Sequence, residues 1–544
     1  MGSFLCAGYQ DSPPCGLAAR RTAAERVIRL SRKPAAILRK IASLPVHPFL
    51  LAMYPVLALF AHNAAEIHLT AALRPFVLTL GLGAITLGLS RPVFRDWHRA
   101  ALMASLGLIL FFSYGHVYGF LKPVVALGEV VGRHRYLAVV WTLLAVLGFP
   151  GIRLLREPGR TTSTINAVAL ALLILPTVQV VSYDSRVRQA DLAAEKIGGT
   201  STPVVAASEM PDIYYIILDA YTRDDILAGE YGLDNRPFLQ ELEERGFFLA
   251  ECSQSNYART SLSLGSSLNM DYLETFFPRD DTIGMSAFIR HNRVRSFLEQ
   301  AGYTVVAIDS GYPSTQWSDA EVYLRPRGLS ALQAAWAPGA TEFEGILFRS
   351  TVGVILLDAM PSSGLTALID DAPKVDRYNE IAAAFTSLEE AANVPGPKLV
   401  FAHIRIPHDP YLFARDGRFL PDQTAHNPGY PDQVLYVNSR MLPILDRILQ
   451  QTDVPPIIVL QGDHGSPEFR ADARRMKILN AYLVPERMAD RLYAWVTPVN
   501  TFRLILDGTF GTEMGILPDR SYLSLAGSDM DYTLVPEDRG GCQD

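Results

Sequence analysis

Four positions in this sequence carry groups able to hold a divalent cation and offer it a nucleophile. Asp219 ends the β-branched run Ile213-Tyr-Tyr-Ile-Ile-Leu, and Asp463 and His464 follow the run Pro456-Ile-Ile-Val-Leu-Gln-Gly462. Thr260 stands in the hydroxyl-rich segment Asn256-Tyr-Ala-Arg-Thr-Ser-Leu-Ser263. Two carboxylates, an imidazole and a hydroxyl form an oxygen-rich site, and coordination lowers a hydroxyl's pKa enough to make it a usable nucleophile. Thr260 and Ser261 open the helix-like stretch 262–273, where free N–H groups and the positive dipole end would receive a phosphoryl group. A hydroxyl there also serves as a plain helix cap. Arg259 would stabilise equatorial oxygens of a transferred group, or simply be a surface charge.

Positioning such groups takes strands that end at one place. Short β-branched runs at 213–219, 303–308, 398–404 and 456–461 alternate with amphipathic stretches at 235–245, 287–300, 376–393 and 434–451. That alternation predicts an α/β domain over 210–535, its largely parallel sheet covered by helices on both faces. Ligands in such sheets bind beyond the carboxyl ends of the strands. Asp219, Asp309, His403 or His408, and Asp463-His464 all follow the apolar run before them, and Gly465 lets the backbone turn away. Residues 310–372, rich in Trp, Pro and Ser, are expected to form an insertion over the site.

The first third of the chain has another character. Hydrophobic residues make up 49% of the chain against 19% charged, and the excess lies in apolar blocks at 46–64, 71–90, 100–121, 136–154 and 163–182. Each block is near the roughly 20 residues that cross a bilayer as a helix. Five transmembrane helices are therefore expected within 46–185, after a basic segment, 1–45, that carries Arg20, Arg21, Arg26, Arg29, Arg32, Lys33, Arg39 and Lys40. Arg91, Arg95 and Arg99, then Arg156 and Arg160, mark two further cytoplasmic loops, although Lys122, Arg133 and Arg135 weaken the contrast. Everything after 185 is then expected outside the cytoplasmic membrane, joined by a linker at 186–209 and ending in a tail at 536–544. His62, Glu66 and His68 fall at the outer end of the first span, near lipid headgroups. A basic flank beside an apolar block indicates membrane topology, not a nucleic-acid partner. The four cysteines show no metal-type spacing, and Cys252 and Cys542 could pair in an oxidising compartment.

Together these residues resemble the alkaline phosphatase superfamily: an Asp ending the first strand, Asn-x-x-x-Thr-Ser some forty residues later, Pro407-His408-Asp409-Pro410-Tyr411, and a late Asp-His-Gly. Within it, a five-span anchor before an outward catalytic domain is similar to the lipoteichoic acid synthases and the lipid A phosphoethanolamine transferases. Thr497-Pro-Val-Asn-Thr-Phe-Arg503 is similar to a segment of membrane-bound sulfatase-like proteins. The resemblance implies that Asp219, Thr260, Asp463 and His464 ligate one divalent ion, with Thr260 becoming phosphorylated. It implies that His408 and His403 contact the phosphate or protonate the leaving group, and that Asn256 and Ser261 help bind substrate. Three oxygens and one imidazole suit Mn²⁺ or Zn²⁺ and admit Mg²⁺ or Ca²⁺.

Departures from the pattern narrow the expectation. Cys252-Ser-Gln-Ser-Asn lacks the sulfatase Cys/Ser-x-Pro/Ala-x-Arg context, and a second-metal Asp-x-x-x-His is missing at the later strand ends. Asp219 stands where the transferase families usually place Glu. The expected activity is transfer of a phospho-headgroup, of phosphoglycerol or phosphoethanolamine type, from a membrane phospholipid to an envelope glycan or lipid. The same site in a membrane-anchored phosphodiesterase, phosphatase or sulfatase, or in a non-catalytic envelope-assembly scaffold, is the alternative.

Overall fold

The computed structural model describes residues 44–64, 67–123, 133–198, 210–277, 284–325, 339–361, 363–420, 429–452, 454–524 and 532–536. The basic N-terminal segment, Glu66, Cys542 and the tail beyond 536 lie outside the described residues. Cys252 is disulfide-bonded, and the other three cysteines are likewise outside them. The chain divides into two compact units: described residues up to Ala58 with Pro75–Pro176 and Arg349–Ile355, and Leu59–Arg74 with Thr177–Phe348 and the residues from Leu356 onward.

The first unit is helical. Its helices are α1 (His47–His62), α2 (Leu73–Phe94), α3 (Trp97–Leu121), α4 (His134–Arg153) and the start of α5 (Pro158–Gly198). Among the described residues four helical stretches are long and apolar enough to cross a membrane, Leu69–Phe94, Trp97–Leu121, His134–Arg153 and Pro158–Gln189. These take in four of the five expected blocks, and the remaining one, 46–64, is a shorter apolar helix. The first predicted span folds as a 16-residue helix, about 24 Å at 1.5 Å per residue, against an apolar bilayer thickness of about 30 Å. Polar side chains tie its start to its neighbours: His47 Nδ1 lies 2.6 Å from Ser105 Oγ, and the His47 backbone N–H donates to Asn166 Oδ1 at 2.9 Å. The helix α5 runs on to Gly198, so the predicted linker begins as a continuation of it.

The second unit is built on a seven-stranded sheet. Its strands are β1 (Ile213–Leu218), β2 (Phe248–Leu249), β3 (Thr304–Ile308), β4 (Val322–Leu324), β5 (Lys398–Ile404), β6 (Ile457–Gly462) and β7 (Asn480–Leu483), ordered β2-β7-β6-β1-β5-β3-β4. The β6-β1-β5-β3-β4 part is parallel, and β7 runs antiparallel to both of its neighbours. A separate hairpin joins β8 (Ser521–Ser524) to β9 (Tyr532–Val535). Every residue of β1 is buried, because alternate side chains enter two different cores. Ile213, Tyr215 and Ile217 meet Leu264, Leu268, Phe288 and Phe502 on one face. Tyr214, Ile216 and Leu218 meet Phe385, Val437 and Met441 on the other.

The four predicted strands are present within a residue or so of their expected bounds. The predicted helix at 287–300 is instead two, Met285–Arg290 and Arg293–Gln300, because Asn292 Oδ1 accepts from Arg295 N–H at 2.8 Å and starts a new helix. Part of the predicted insertion is an edge strand, β4, which its short, half-buried sequence did not announce.

Strand register sets the site. Leu218 lies opposite Ile404 of β5 and Gly462 of β6, so Asp219 and Asp463 leave adjacent strands at one level. Gly465 does not have a positive φ; its need for glycine is close approach. A Cβ there would sit 2.7 Å from Lys477 O and 2.9 Å from Arg475 O, so the 474–477 turn presses against the loop that carries His464.

Candidate active site

Asp219, Thr260, His403, His408, Asp463 and His464 come together at the carboxyl ends of β1, β5 and β6. Thr260 is the first residue of α6 (Thr260–Asn269), and Arg259 occupies the cap position without a side-chain cap bond. The Thr260 hydroxyl is thus not spent on capping. Its Oγ1 lies 3.4 Å from His464 Nε2, and α6 begins with N–H groups that lack partners in the helix.

Acceptor atoms crowd around His464. His464 Nδ1 is 2.9 Å from Gly465 O, which can only accept, so the ring proton sits on Nδ1 and Nε2 offers a lone pair. That lone pair lies 3.5 Å from Asp463 Oδ2 and 3.7 Å from Asp219 Oδ1. Asp219 Oδ1, Asp463 Oδ2 and His403 Nε2 are buried without a hydrogen-bond partner. Buried acceptors facing acceptors are costly unless a cation lies between them. The possible ligand atoms of Asp219, His408 and His464, and those of Asp219, His403 and Asp463, each fall within 4.8 Å of one another. The residues present therefore fit a divalent ion, with Thr260 at its edge.

Backbone geometry fixes the carboxylates. Asp463 Oδ1 accepts from Ala220 N–H at 2.9 Å, and the Ala220 carbonyl accepts from Tyr430 O–H at 2.7 Å. Ala220 itself has φ of 64°, left-handed and unusual for a residue with a Cβ.

Protonation states divide the two loop histidines. Burial disfavours a charged His408, yet the Asp219 carboxylate and bonds to Asp409 push it up to about 9, so it carries a proton at neutral pH. Burial pulls His464 down to about 4, with Asp463 opposing and Arg475 reinforcing. Burial works against a charged Asp219, but His408 and His403 hold its carboxyl far below the usual range. Ion binding needs a neutral His464. Metal loading, read as metal per chain by elemental mass spectrometry across a pH series, is expected to fall as the pH drops toward about 4, below the value of about 6.5 where a free histidine titrates.

Other residues from the sequence fall elsewhere, and some were not foreseen. Asn256 is fully buried and committed to backbone: its Oδ1 accepts from Val499 N–H at 2.7 Å and its Nδ2 donates to Arg520 O at 2.8 Å. Ser261 is half-buried beside Thr260. His403, expected to touch phosphate, is fully buried, with Nδ1 2.8 Å from Thr315 Oγ1 and Nε2 3.6 Å from Asp219 Oδ2. Asp309 serves its own loop, accepting from Gly311 N–H and Gln316 Nε2. Two arginines enter unannounced: Arg377, whose Nη2 donates to Asp409 O at 3.0 Å, and Arg475, whose Nη2 lies 3.4 Å from His464 Nε2.

No family model and no curated protein matches the chain. Solved structures do. The zinc complex of the C-terminal periplasmic domain of EptC from Escherichia coli matches at 11% identity and a TM-score of 0.39, covering 62% of this chain and 97% of its own. The integral membrane lipooligosaccharide phosphoethanolamine transferase A from Neisseria meningitidis matches at 13% identity and a TM-score of 0.36, covering 88% of this chain and 96% of its own. An alkaline phosphatase superfamily protein from Vibrio parahaemolyticus matches at 11% and 0.35, covering 62% and 82%.

Proposed function

We propose that this protein is a membrane-bound, metal-dependent phosphotransferase that moves a phospho-headgroup from a phospholipid to an envelope glycan or lipid through Thr260. The observation that carries the reading is the convergence of unpartnered carboxylate oxygens of Asp219 and Asp463 with the Nε2 lone pair of His464, next to a hydroxyl at a helix start that caps nothing. Asp219, Asp463, His464 and Thr260 would hold the ion, with Mn²⁺ or Zn²⁺ best suited to this donor set. When bound, the ion lowers the hydroxyl's pKa and offsets charge on the phosphoryl oxygens.

The chain's own groups do the rest. Thr260 Oγ1, its proton given up to solvent before the attack, forms a bond to the headgroup phosphorus while the bond to the diacylglycerol oxygen breaks, protonated His408 gives that oxygen its proton, and Thr260 leaves the second step as the same deprotonated oxygen. An acceptor hydroxyl then returns a proton to His408 as its oxygen takes the phospho-headgroup from Thr260. Arginine-rich loops around 91–99 and 153–160, placed on the cytoplasmic side, put the residues after α5 on the opposite face of the cell membrane. Anchoring there confines the domain near a bilayer-bound donor and raises its effective concentration.

The test is intact-mass spectrometry of the full chain in detergent after incubation with Mn²⁺ or Zn²⁺ and mixed bacterial phospholipids. A mass increase matching a phospho-headgroup, with diacylglycerol released, is expected. Ester turnover to water alone, unchanged by any glycan or lipid acceptor, would replace transfer with hydrolysis.

A further inference from the structure

Arg475 is a buried charge without a direct ion pair. It is 8% exposed, and among the described residues no carboxylate forms an ion pair with it. Its neighbours Arg474 and Lys477 pair with Asp472, Glu230 and Asp225 at the surface. The Asp463 and Asp219 carboxylates attract it without touching it, and an ion held between those carboxylates would offset that attraction, leaving a costly buried guanidinium that a ligand of opposite charge would satisfy.

Its surroundings say where that ligand lies. Arg475 Nε donates to Ala258 O at 2.8 Å, two residues before Thr260, which fixes the guanidinium plane beside the start of α6. Nη1 reaches Ser466 O at 3.5 Å. Nη2 is aimed at His464 Nε2, 3.4 Å away, the same lone pair that Thr260 Oγ1 approaches from 3.4 Å. One lone pair cannot serve both Arg475 and an ion. Once an ion takes it, Nη2 is left with a free donor in a buried site, facing the space next to the hydroxyl.

We propose that Arg475, not Arg259, is the cation that grips a non-bridging oxygen of the transferred tetrahedral phosphoryl group; the assignment rests on the phosphotransfer reading above. Arg259 is half-buried at the cap of α6, whereas Arg475 has the fixed plane, the burial and the free donor that an oxyanion needs. A planar fork held at Nε presents its remaining N–H groups in one direction, which a lysine ammonium would not.

The test measures inorganic phosphate binding by calorimetry on the metal-loaded full chain in detergent, with metal per chain determined on every sample. Arg475→Met is expected to weaken phosphate binding by about tenfold or more with metal content unchanged, Arg475→Lys to restore part of the loss, and Arg259→Met to leave the affinity within about twofold. Wild-type affinity in Arg475→Met at full metal content would overturn the proposal, as would a loss in Arg259→Met that matches it. Should Arg475→Met not fold, phosphate soaked into crystals of the loaded wild type decides: an oxygen within hydrogen-bond reach of Arg475 supports the assignment, and a phosphate bound away from it sinks it. Arg475-dependent phosphate binding in a chain that turns over no ester would retire the transferase reading and keep this site. Turnover with Arg475-independent phosphate binding would do the reverse.

Discussion

Thr260→Ala is expected to abolish the covalent phospho-headgroup adduct and to lower turnover by at least about a thousandfold, the scale seen when a nucleophile is removed. The structure makes this a clean substitution. The Thr260 hydroxyl sits at the first helical position, not at the cap, and approaches His464 Nε2 at 3.4 Å. Losing it strands no buried donor, and alanine suits a helix, so stability should stay within about 1 kcal/mol of wild type. Intact mass, steady-state turnover and thermal unfolding on the same preparations check all three. An adduct of unchanged yield on the variant would move the nucleophile to another group, with Ser261 the nearest hydroxyl in sequence.

Asp463→Asn should have an equally large effect through a different route. The asparagine oxygen can still accept from Ala220 N–H, so the loop keeps its shape while the charge goes. Metal affinity is expected to fall by more than the roughly 10–100-fold that losing an outer-sphere partner costs, and turnover should fall with it. Elemental analysis and turnover on the same preparations read both effects; a variant that binds metal normally would contradict the site.

Much of this arrangement was visible in the sequence because strand ends carry it. Asp219, Asp463 and His464 follow β-branched runs directly, so reading the strands places them, and Thr260 is marked by the hydroxyls that open a helix. His408 sits in a Pro-flanked loop after the same strand that holds His403. Arg475 could not be found that way. Its place depends on a tight turn, Ala473–Met476, folding back on Gly465, and a turn of that kind leaves no periodic signal. Asn256 shows the opposite failure: an amide that binds backbone and one that binds substrate look the same in a sequence. The first apolar block forms a helix shorter than its apolar run, because hydropathy registers apolar residues and not where their hydrogen-bonded run stops.

The left-handed Ala220 has an implication of its own. It follows Asp219 and its N–H donates to Asp463, so the backbone tension of roughly 1 kcal/mol or more associated with such a conformation sits where the supports of the two carboxylates meet rather than at a dispensable turn. Glycine there would relax the chain and loosen both carboxylates together. Selection for hardiness alone would favour that exchange, and selection for turnover would resist it, so this single methyl group marks where the two demands on the sequence part company.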